Sequence, residues 1–116
     1  MTISADRPLL LDVHTEERAV VISAHGSADV LDVPDLQERL ARLASHPNRI
    51  IILDLSDLDF IGPDGLDALL NVRQVVLKKH GQIRLVNPNR EIRRMLQVSR
   101  LMEIFPVYDS VEQALA

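Results

Sequence analysis

Short runs of β-branched and aliphatic residues alternate along the chain with longer segments in which apolar residues recur at helical spacing. This alternation constrains the fold more than any other feature, because it is typical of a sheet whose strands are separated by helices. The run Ile50-Ile51-Ile52-Leu53 contains no polar position. Such a run predicts a strand buried on both faces, and therefore a central one. The sequence as a whole predicts the α/β class, with a mixed β-sheet covered by helices.

The first half of the chain predicts a hairpin, a loop and a helix. Residues 9–14 and 19–24 are expected to pair as antiparallel strands across the polar turn between them. A loop is expected after Gly26. Asp32 is the expected N-cap of a helix that ends near Pro47, because proline cannot continue the hydrogen-bond ladder.

The second half continues the alternation and gives the order ββαβαβαβα. The segment Pro63-Asp64-Gly65 is expected to open a helix that ends at Gly81. Asn89 is the expected cap of the next helix, and Ser110 begins a capping-box pattern that predicts a short final helix. The intervening strands are expected at residues 83–86 and 105–108.

Length and composition narrow the classes of function. The chain has 116 residues, a net charge of -4 and 3% aromatic residues. One domain spanning residues 1–116, with a core at 7–115, is expected from this length. The negative charge and the scarcity of aromatic rings argue against nucleic-acid binding. No apolar run approaches the roughly 20 residues that cross a bilayer, so membrane insertion is not expected.

Several kinds of site have no sequence signal. The absence of cysteine excludes disulfides, thiolate metal sites and cysteine nucleophiles. No glycine-rich phosphate loop or nucleophile elbow is present, so neither an enzyme nor a cofactor is expected. The first residues lack the pattern of a secretory signal, which favours a cytoplasmic location. The four histidines, expected to be ordinary surface or partly packed residues, are His14, His25, His46 and His80.

One stretch carries a family resemblance. Residues 50–70 read IIILDLSDLDFIGPDGLDALL, with a buried strand, Asp-Leu-Ser, a Phe-Ile spacer, a tight loop and Gly-Leu at a helix start. This stretch resembles the signature of STAS domains in order and spacing. Similarity extends over nearly the whole chain, to residues 26–29, 34–36, 81–86 and 108–115. The resemblance is to the anti-sigma factor antagonists, and it implies a non-enzymatic docking module that regulates transcription.

In those antagonists the loop typically reads Asp-Ser-Ser-Gly, and a partner that is both kinase and anti-sigma factor phosphorylates the second serine. The unmodified antagonist binds that partner and frees the sigma factor, whereas the phosphorylated form releases it. The resemblance places Gly62 at the family's Asp, Pro63 at the first serine, Asp64 at the phosphoacceptor and Gly65 at the glycine. A carboxylate has no hydroxyl to phosphorylate, so serine phosphorylation at this position is not expected. Ser27 and Ser56 lie nearby in sequence, but neither matches the acceptor position.

Asp64 has a local role as well. At a helix start it is expected to accept a backbone N–H and to face the positive end of the dipole, each worth about 1 kcal/mol. Aspartate has one charge where phosphoserine has about 1.5 to 2, so the imitation is partial. Either the partner accepts the capped carboxylate and the protein is permanently active, or the charge repels the partner and the protein is permanently released. The first outcome is favoured, because a capped carboxylate projects less uncompensated charge.

A docking surface follows from the resemblance. It is expected to contain Asp29, Gly62, Pro63, Asp64, Gly65 and Leu66. Its partner is expected to be an anti-sigma factor of the histidine-kinase-like ATPase type, or another STAS-binding protein. The sequence leaves the oligomeric state open.

Other interpretations remain beside this one. A STAS domain can also be the docking subunit of a lipid-transport or stress-signalling complex. A receiver domain would be phosphorylated on Asp54, but it needs an acidic pair after its first strand, where Asp12 stands alone. Asp57 and Asp59 copy part of a calcium-binding EF-hand loop, but the pattern fails at Ile61.

Overall fold

A computed structural model describes residues 7–29 and 32–116. The strands are β1 (Leu10–Thr15), β2 (Ala19–Ala28), β3 (Ile50–Ile61), β4 (Gln82–Val86) and β5 (Val107–Tyr108). The helices are α1 (Val33–Ala44), α2 (Pro63–Lys78), α3 (Arg90–Val98) and α4 (Val111–Leu115), with a 3-10 turn at Leu101–Glu103. The order ββαβαβαβα is confirmed. None of the helices described is both long and apolar enough to cross a membrane.

The strands form one mixed sheet in the order β1-β2-β3-β4-β5. The predicted hairpin is confirmed, since β1 pairs with β2 antiparallel from Leu10 opposite His25 to Thr15 opposite Val20. The other neighbouring strands pair in parallel. The central position predicted for β3 is also confirmed, because it lies between β2 and β4 and buries residues on both faces.

The helices cover the two faces of the sheet unequally. Helices α1, α2 and α3 pack on one face through buried side chains such as Leu36, Leu69 and Leu96. Helix α4 packs on the other face through Ala114. Burial of each large aliphatic side chain stabilises the fold by about 1.5–3 kcal/mol. Phe105, predicted to lie in the last strand, is instead fully buried in the larger core, and β5 has only two residues.

Strands β2 and β3 are longer than predicted. The loop expected after Gly26 is wrong, because β2 continues through Ala28 alongside the extended end of β3. Gly26 has φ +88°, and a Cβ atom there would lie 2.1 Å from the carbonyl oxygen of Pro8. The strand therefore needs glycine here for the segment before β1 to pass against it.

The caps of the last two helices follow the sequence rules. The side chain of Asn89 accepts a hydrogen bond from the N–H of Ile92 at 2.9 Å, as predicted. Ser110 accepts one from the N–H of Gln113 at 3.1 Å. The reciprocal bond of the capping box is displaced by one residue, because Gln113 accepts from the N–H of Asp109.

Candidate docking site

The connection from β3 to α2 starts the helix without a side-chain cap. Gly62 is the N-cap, in extended conformation, and Pro63 is the first helical residue. The prediction that Asp64 caps the helix is wrong. The cap position belongs to Gly62, which has no side chain, and Asp64 lies two residues further on, inside the first turn. Its carboxylate keeps only the favourable interaction with the positive end of the helix dipole.

Asp29 lies beside this helix start. It follows the end of β2, and its backbone N–H donates to the Asp32 carboxylate at 3.0 Å. Asp32 is the N-cap residue of α1, as predicted, but its carboxylate bonds the preceding loop and makes no capping hydrogen bond to the helix. A shallow depression of about 230 Å³ is lined by Ala28, Asp29, Val33, Phe60 and residues 62–65. The structure thus brings Asp29 and the Gly62–Gly65 segment to one surface.

Burial divides the predicted site residues into two groups. Asp29, Pro63 and Asp64 are exposed, and Gly62 is partly exposed. Gly65 and Leu66 are buried, with Leu66 in the main core. A Cβ atom at Gly65 would lie 2.3 Å from Cγ1 of Ile61, so this position lets the helix start approach the end of β3. These two residues hold the loop in place and do not present side chains at its surface.

Phe60 belongs to the same surface and was missed by the sequence interpretation. Its side chain lines the depression and 47% of the residue is exposed, which is unusual for a large aromatic side chain. A Cβ atom at Gly62 would lie 3.5 Å from the Phe60 ring, so the ring rests against this glycine. The available signal was an aromatic residue directly before the loop, in a stretch interpreted as a spacer.

A second polar cluster, the Arg7 cluster, joins the segment before β1 to three strands. It consists of Arg7, Asp12, His25, Asp57 and Asp59. The Arg7 guanidinium donates to Asp57 Oδ1 at 3.0 Å and to Asp59 Oδ2 at 3.0 Å. His25 lies between two carboxylates, with Nδ1 2.7 Å from Asp57 and Nε2 2.9 Å from Asp12. These contacts link β1, β2 and β3 next to the strand ends that carry the candidate docking surface.

Hydrogen bonds between oppositely charged groups shift the pKa values of three residues in this cluster. Arg7 and then His25 lower the pKa of Asp57 to about 2. Asp57, and then Asp12, raise the pKa of His25, although partial burial opposes the shift. Asp59 and Asp57 raise the pKa of Arg7. The cluster was missed because Arg7 and Asp59 are 52 positions apart and only the sheet brings them together.

The two nearby serines differ in their surroundings. Ser27 is buried, with 8% of its surface exposed, so its hydroxyl has little access to a kinase. Ser56 is exposed, but its hydroxyl donates to the Asp54 carboxylate at 2.6 Å. A phosphate on Ser56 would be placed beside that negative charge, which is unfavourable.

The structure also tests two other interpretations of the aspartates, the receiver domain and the calcium-binding loop. A receiver has a parallel doubly wound sheet of order 2-1-3-4-5, whereas this sheet has the order 1-2-3-4-5 with an antiparallel edge. The calcium interpretation fails because Asp57 and Asp59 lie in β3 and bind Arg7. Among residues 7–29 and 32–116, no group of three or more histidine and carboxylate side chains is arranged to hold a metal ion.

Comparison with known proteins agrees with this fold. The model of the STAS domain family matches residues 11–114. The chain belongs to the STAS domain family. BtrV of Bordetella bronchiseptica is 28% identical over 97 residues, covering 84% of this chain and 84% of that protein. The anti-sigma-B factor antagonist of Bacillus subtilis is 26% identical over 97 residues, covering 84% of this chain and 88% of that protein.

A solved structure has the same fold. The crystal structure of an anti-sigma factor antagonist from Mycobacterium paratuberculosis superposes with a TM-score of 0.82 at 25% identity. The superposition covers 93% of this chain and 92% of that one. The domain is therefore built like those of proteins named as anti-sigma factor antagonists.

Proposed function

We propose that this STAS domain is an anti-sigma factor antagonist that acts in the cytoplasm. It binds an anti-sigma factor of the histidine-kinase-like ATPase type through Asp29, Phe60, Gly62, Pro63 and Asp64. The observation that carries the proposal is the exposure of Pro63 and Asp64 beside Asp29. The family resemblance matches Asp64 to the phosphoacceptor position of the antagonists. The names of the relatives support the same role.

The chemistry of the surface specifies its partner further. Two exposed carboxylates, on Asp29 and Asp64, flank a depression lined by the Phe60 ring. Because Asp64 makes no capping bond, its charge is offset only by the helix dipole and faces the partner. Complementary potentials favour association, so the partner presents a basic side chain to these acids and an apolar one to Phe60.

The expected shielding of the Asp64 charge by a capping bond is absent, because Asp64 does not cap the helix. A permanently active protein therefore requires a partner whose basic side chain pairs with this charge. The proposed partner has such a side chain, and the protein is constitutively active. Serine phosphorylation cannot switch it at this position, since the carboxylate has no hydroxyl.

Binding to purified kinase-type anti-sigma factors from the source organism tests the proposal. Calorimetry is expected to detect a complex that Asp64→Asn weakens roughly fivefold to twentyfold, the effect of a lost charge-assisted contact. Glu112→Gln is the matched control. It also removes one exposed charge from the first turn of a helix, but α4 lies on the opposite face of the sheet. This control is expected to bind like the unmodified protein.

Addition of Mg-ATP tests the missing switch in the same mixtures. Intact-protein mass is expected to show no phosphate on the unmodified protein and phosphate on Asp64→Ser, which restores a hydroxyl. Stoichiometric phosphorylation of the unmodified protein would refute the fixed-charge account. Failure to bind any such ATPase would refute the antagonist function and favour the lipid-transport or stress-signalling alternative.

A further inference from the structure

Strand β1 lies at one edge of the sheet and has an open outer side. Strand β2 lies on one side of it, and no strand of residues 7–29 or 32–116 lies on the other. Every side chain of β1 except that of Leu11 is exposed, so the strand is largely uncovered. Two of these exposed side chains are large and apolar, Leu10 with 60% and Val13 with 44% of the residue exposed. The strand contains neither lysine nor proline, the residues that commonly protect a sheet edge from pairing with another strand.

The hairpin turn determines which backbone groups of β1 face outward. The N–H of Glu16 donates to the carbonyl of Ala19 at 2.7 Å, so these two opposite residues form a hydrogen-bonded pair. Hydrogen-bonded and non-hydrogen-bonded pairs alternate along an antiparallel ladder. The even-numbered residues of β1 therefore direct their N–H and C=O groups towards β2. The odd-numbered residues direct theirs to the free edge, and these residues are Leu11, Val13 and Thr15.

We propose that this edge forms a homodimer, in which β1 of a second copy of the chain pairs antiparallel with it. The outward-facing residues exchange the hydrogen bonds, so the two strands can meet in few registers. When Val13 lies opposite Val13 of the second copy, Leu11 lies opposite Thr15. All the outward-facing groups of both strands are then paired, and the two exposed Val13 side chains contact each other.

The charged side chains of β1 select the same register. It places Asp12 of each copy opposite His14 of the other, and an imidazole N–H can donate to a carboxylate whether the ring is neutral or protonated. Both side chains are accessible, since 81% of the Asp12 side chain and 71% of the His14 side chain are exposed. A shift of the pairing in one direction would set Asp12 against Asp12. A shift in the other direction would set His14 against His14 and Asp12 against Glu16. Like charges directly opposite each other are unfavourable, so the edge is complementary to itself in the register centred on Val13.

This pairing is compatible with a closed dimer and with the candidate docking surface. Both copies use the same edge, as two-fold symmetry requires. The two sheets become continuous, and because the two β1 strands run antiparallel, the candidate docking surfaces lie at opposite ends of the joined sheet. Each surface is then open to its own partner. A single pair of strands buries a small area, so a weak dimer with a dissociation constant in the micromolar range or above is expected.

Sedimentation velocity of the full chain, in a concentration series up to the millimolar range, tests the proposal. The average mass is expected to rise from that of a monomer towards that of a dimer. Val13→Lys places two ammonium groups against each other and is expected to weaken the dimer roughly tenfold or more. Val98→Lys is the matched control, because it makes the same change at a residue of α3 that is 75% exposed, and it is expected to dimerise normally. Circular dichroism confirms that both variants are folded.

Three outcomes of this series would refute the proposal. The first is an unmodified protein that stays monomeric at every concentration. The second is a dimer that folded Val13→Lys leaves intact, since another surface would then form it. The third is equal weakening by Val98→Lys, because the effect would then not depend on the edge of β1.

Two variants of His14 test the register and do not depend on how Val13→Lys folds. His14→Lys keeps a donor opposite Asp12 and is expected to dimerise at least as tightly as the unmodified protein. His14→Asp sets carboxylates against each other and is expected to weaken the dimer roughly tenfold. Equal weakening by both variants would refute the register centred on Val13.

An isotope-filtered NOE in a mixture of labelled and unlabelled chains tests the pairing directly. Asp12 and His14 of the other copy form a non-hydrogen-bonded pair in the proposed register, which brings their Cα atoms to about 4.5 Å. An NOE between the Hα of Asp12 and the Hα of His14 across the two chains is therefore expected. Its absence in a sample that sedimentation shows to be dimeric would refute the pairing of the two β1 strands.

Discussion

The substitution Asp64→Asn measures how much the Asp64 carboxylate stabilises its helix, and whether it does so as a cap or through the helix dipole. A lost side-chain cap would cost about 0.5–2 kcal/mol, and a lost interaction with the helix dipole about 0.3–1 kcal/mol at low ionic strength. The structure contains only the second interaction, because Gly62 occupies the cap position. We therefore expect the free energy of unfolding to fall by about 0.5 kcal/mol at low salt. The loss should vanish near 1 M NaCl, where the screening length is about 3 Å.

Urea denaturation followed by circular dichroism at both salt concentrations measures this loss, since the chain has no tryptophan and one tyrosine. Asp67→Asn is a matched control, because Asp67 is exposed in the same helix but lies beyond its first turn. Its effect is expected to be smaller, as the dipole interaction fades within one turn. A loss of about 1.5 kcal/mol or more that persists at high salt would show that Asp64 does cap the helix, and would refute the reasoning.

Three further predictions concern the stability of the fold. Gly26→Ala is expected to lower the unfolding free energy by about 1–3 kcal/mol or more, measured by urea denaturation, because of its positive φ and its contact with Pro8. Asp57→Asn is expected to destabilise the protein above pH 4 or so, with the difference from the unmodified protein lost as pH falls towards 2, since the folded pKa is lowered from 3.8 to about 2. A stability series from about pH 2 to pH 7 measures this effect, and a loss independent of pH would contradict it. Phe105→Ala is expected to cost about 3–5 kcal/mol in thermal or urea unfolding, because the side chain is fully buried.

Local rules predicted the parts of the fold that depend on neighbouring residues. The unbroken apolar run of β3 marked the central strand, and the side chains of Asn89 and Ser110 marked two helix starts. The same rules placed Asp32 correctly at the N-cap of α1, but its side chain bonds the preceding loop and does not cap the helix. They failed for Asp64, which lies two residues after the N-cap Gly62. An acidic residue near a helix start can occupy the N-cap or a position in the first turn, and the backbone conformation determines which.

Only part of the candidate site could be predicted from the sequence. Family resemblance identified the segment from Gly62 to Leu66, but it could not separate the exposed residues from the buried ones. The Arg7 cluster had no local signal at all, because His25 meets Asp57 only through strand pairing. The histidines were expected to be ordinary surface or partly packed residues, and His25 is partly buried, but its contacts with Asp12 and Asp57 were not predicted.

The irregular pairing of β2 with β3 explains why the second half of β3, including Asp57 and Phe60, was not interpreted as a strand. Between Ser23 and His25 the partner on β3 advances by three residues, from Asp54 to Asp57, and a second shift follows Gly26. Each shift inserts one extra residue in β3, so its buried positions recur every third residue, at Leu55, Leu58 and Ile61. A strand with this period does not show the usual alternation, which explains why its second half was interpreted as a spacer.

The same shifts place residues of the Arg7 cluster and of the candidate docking site. Such bulges bend a strand, increase its twist and redirect its side chains. The first shift sets Asp57 opposite His25, and the second sets Phe60 opposite Ser27. Strand β4 pairs with β3 only as far as Asp54, so the bulged end is free of a strand on that side and can carry the loop outward. The proposed docking surface therefore depends on the two extra residues of β3 as much as on the loop itself.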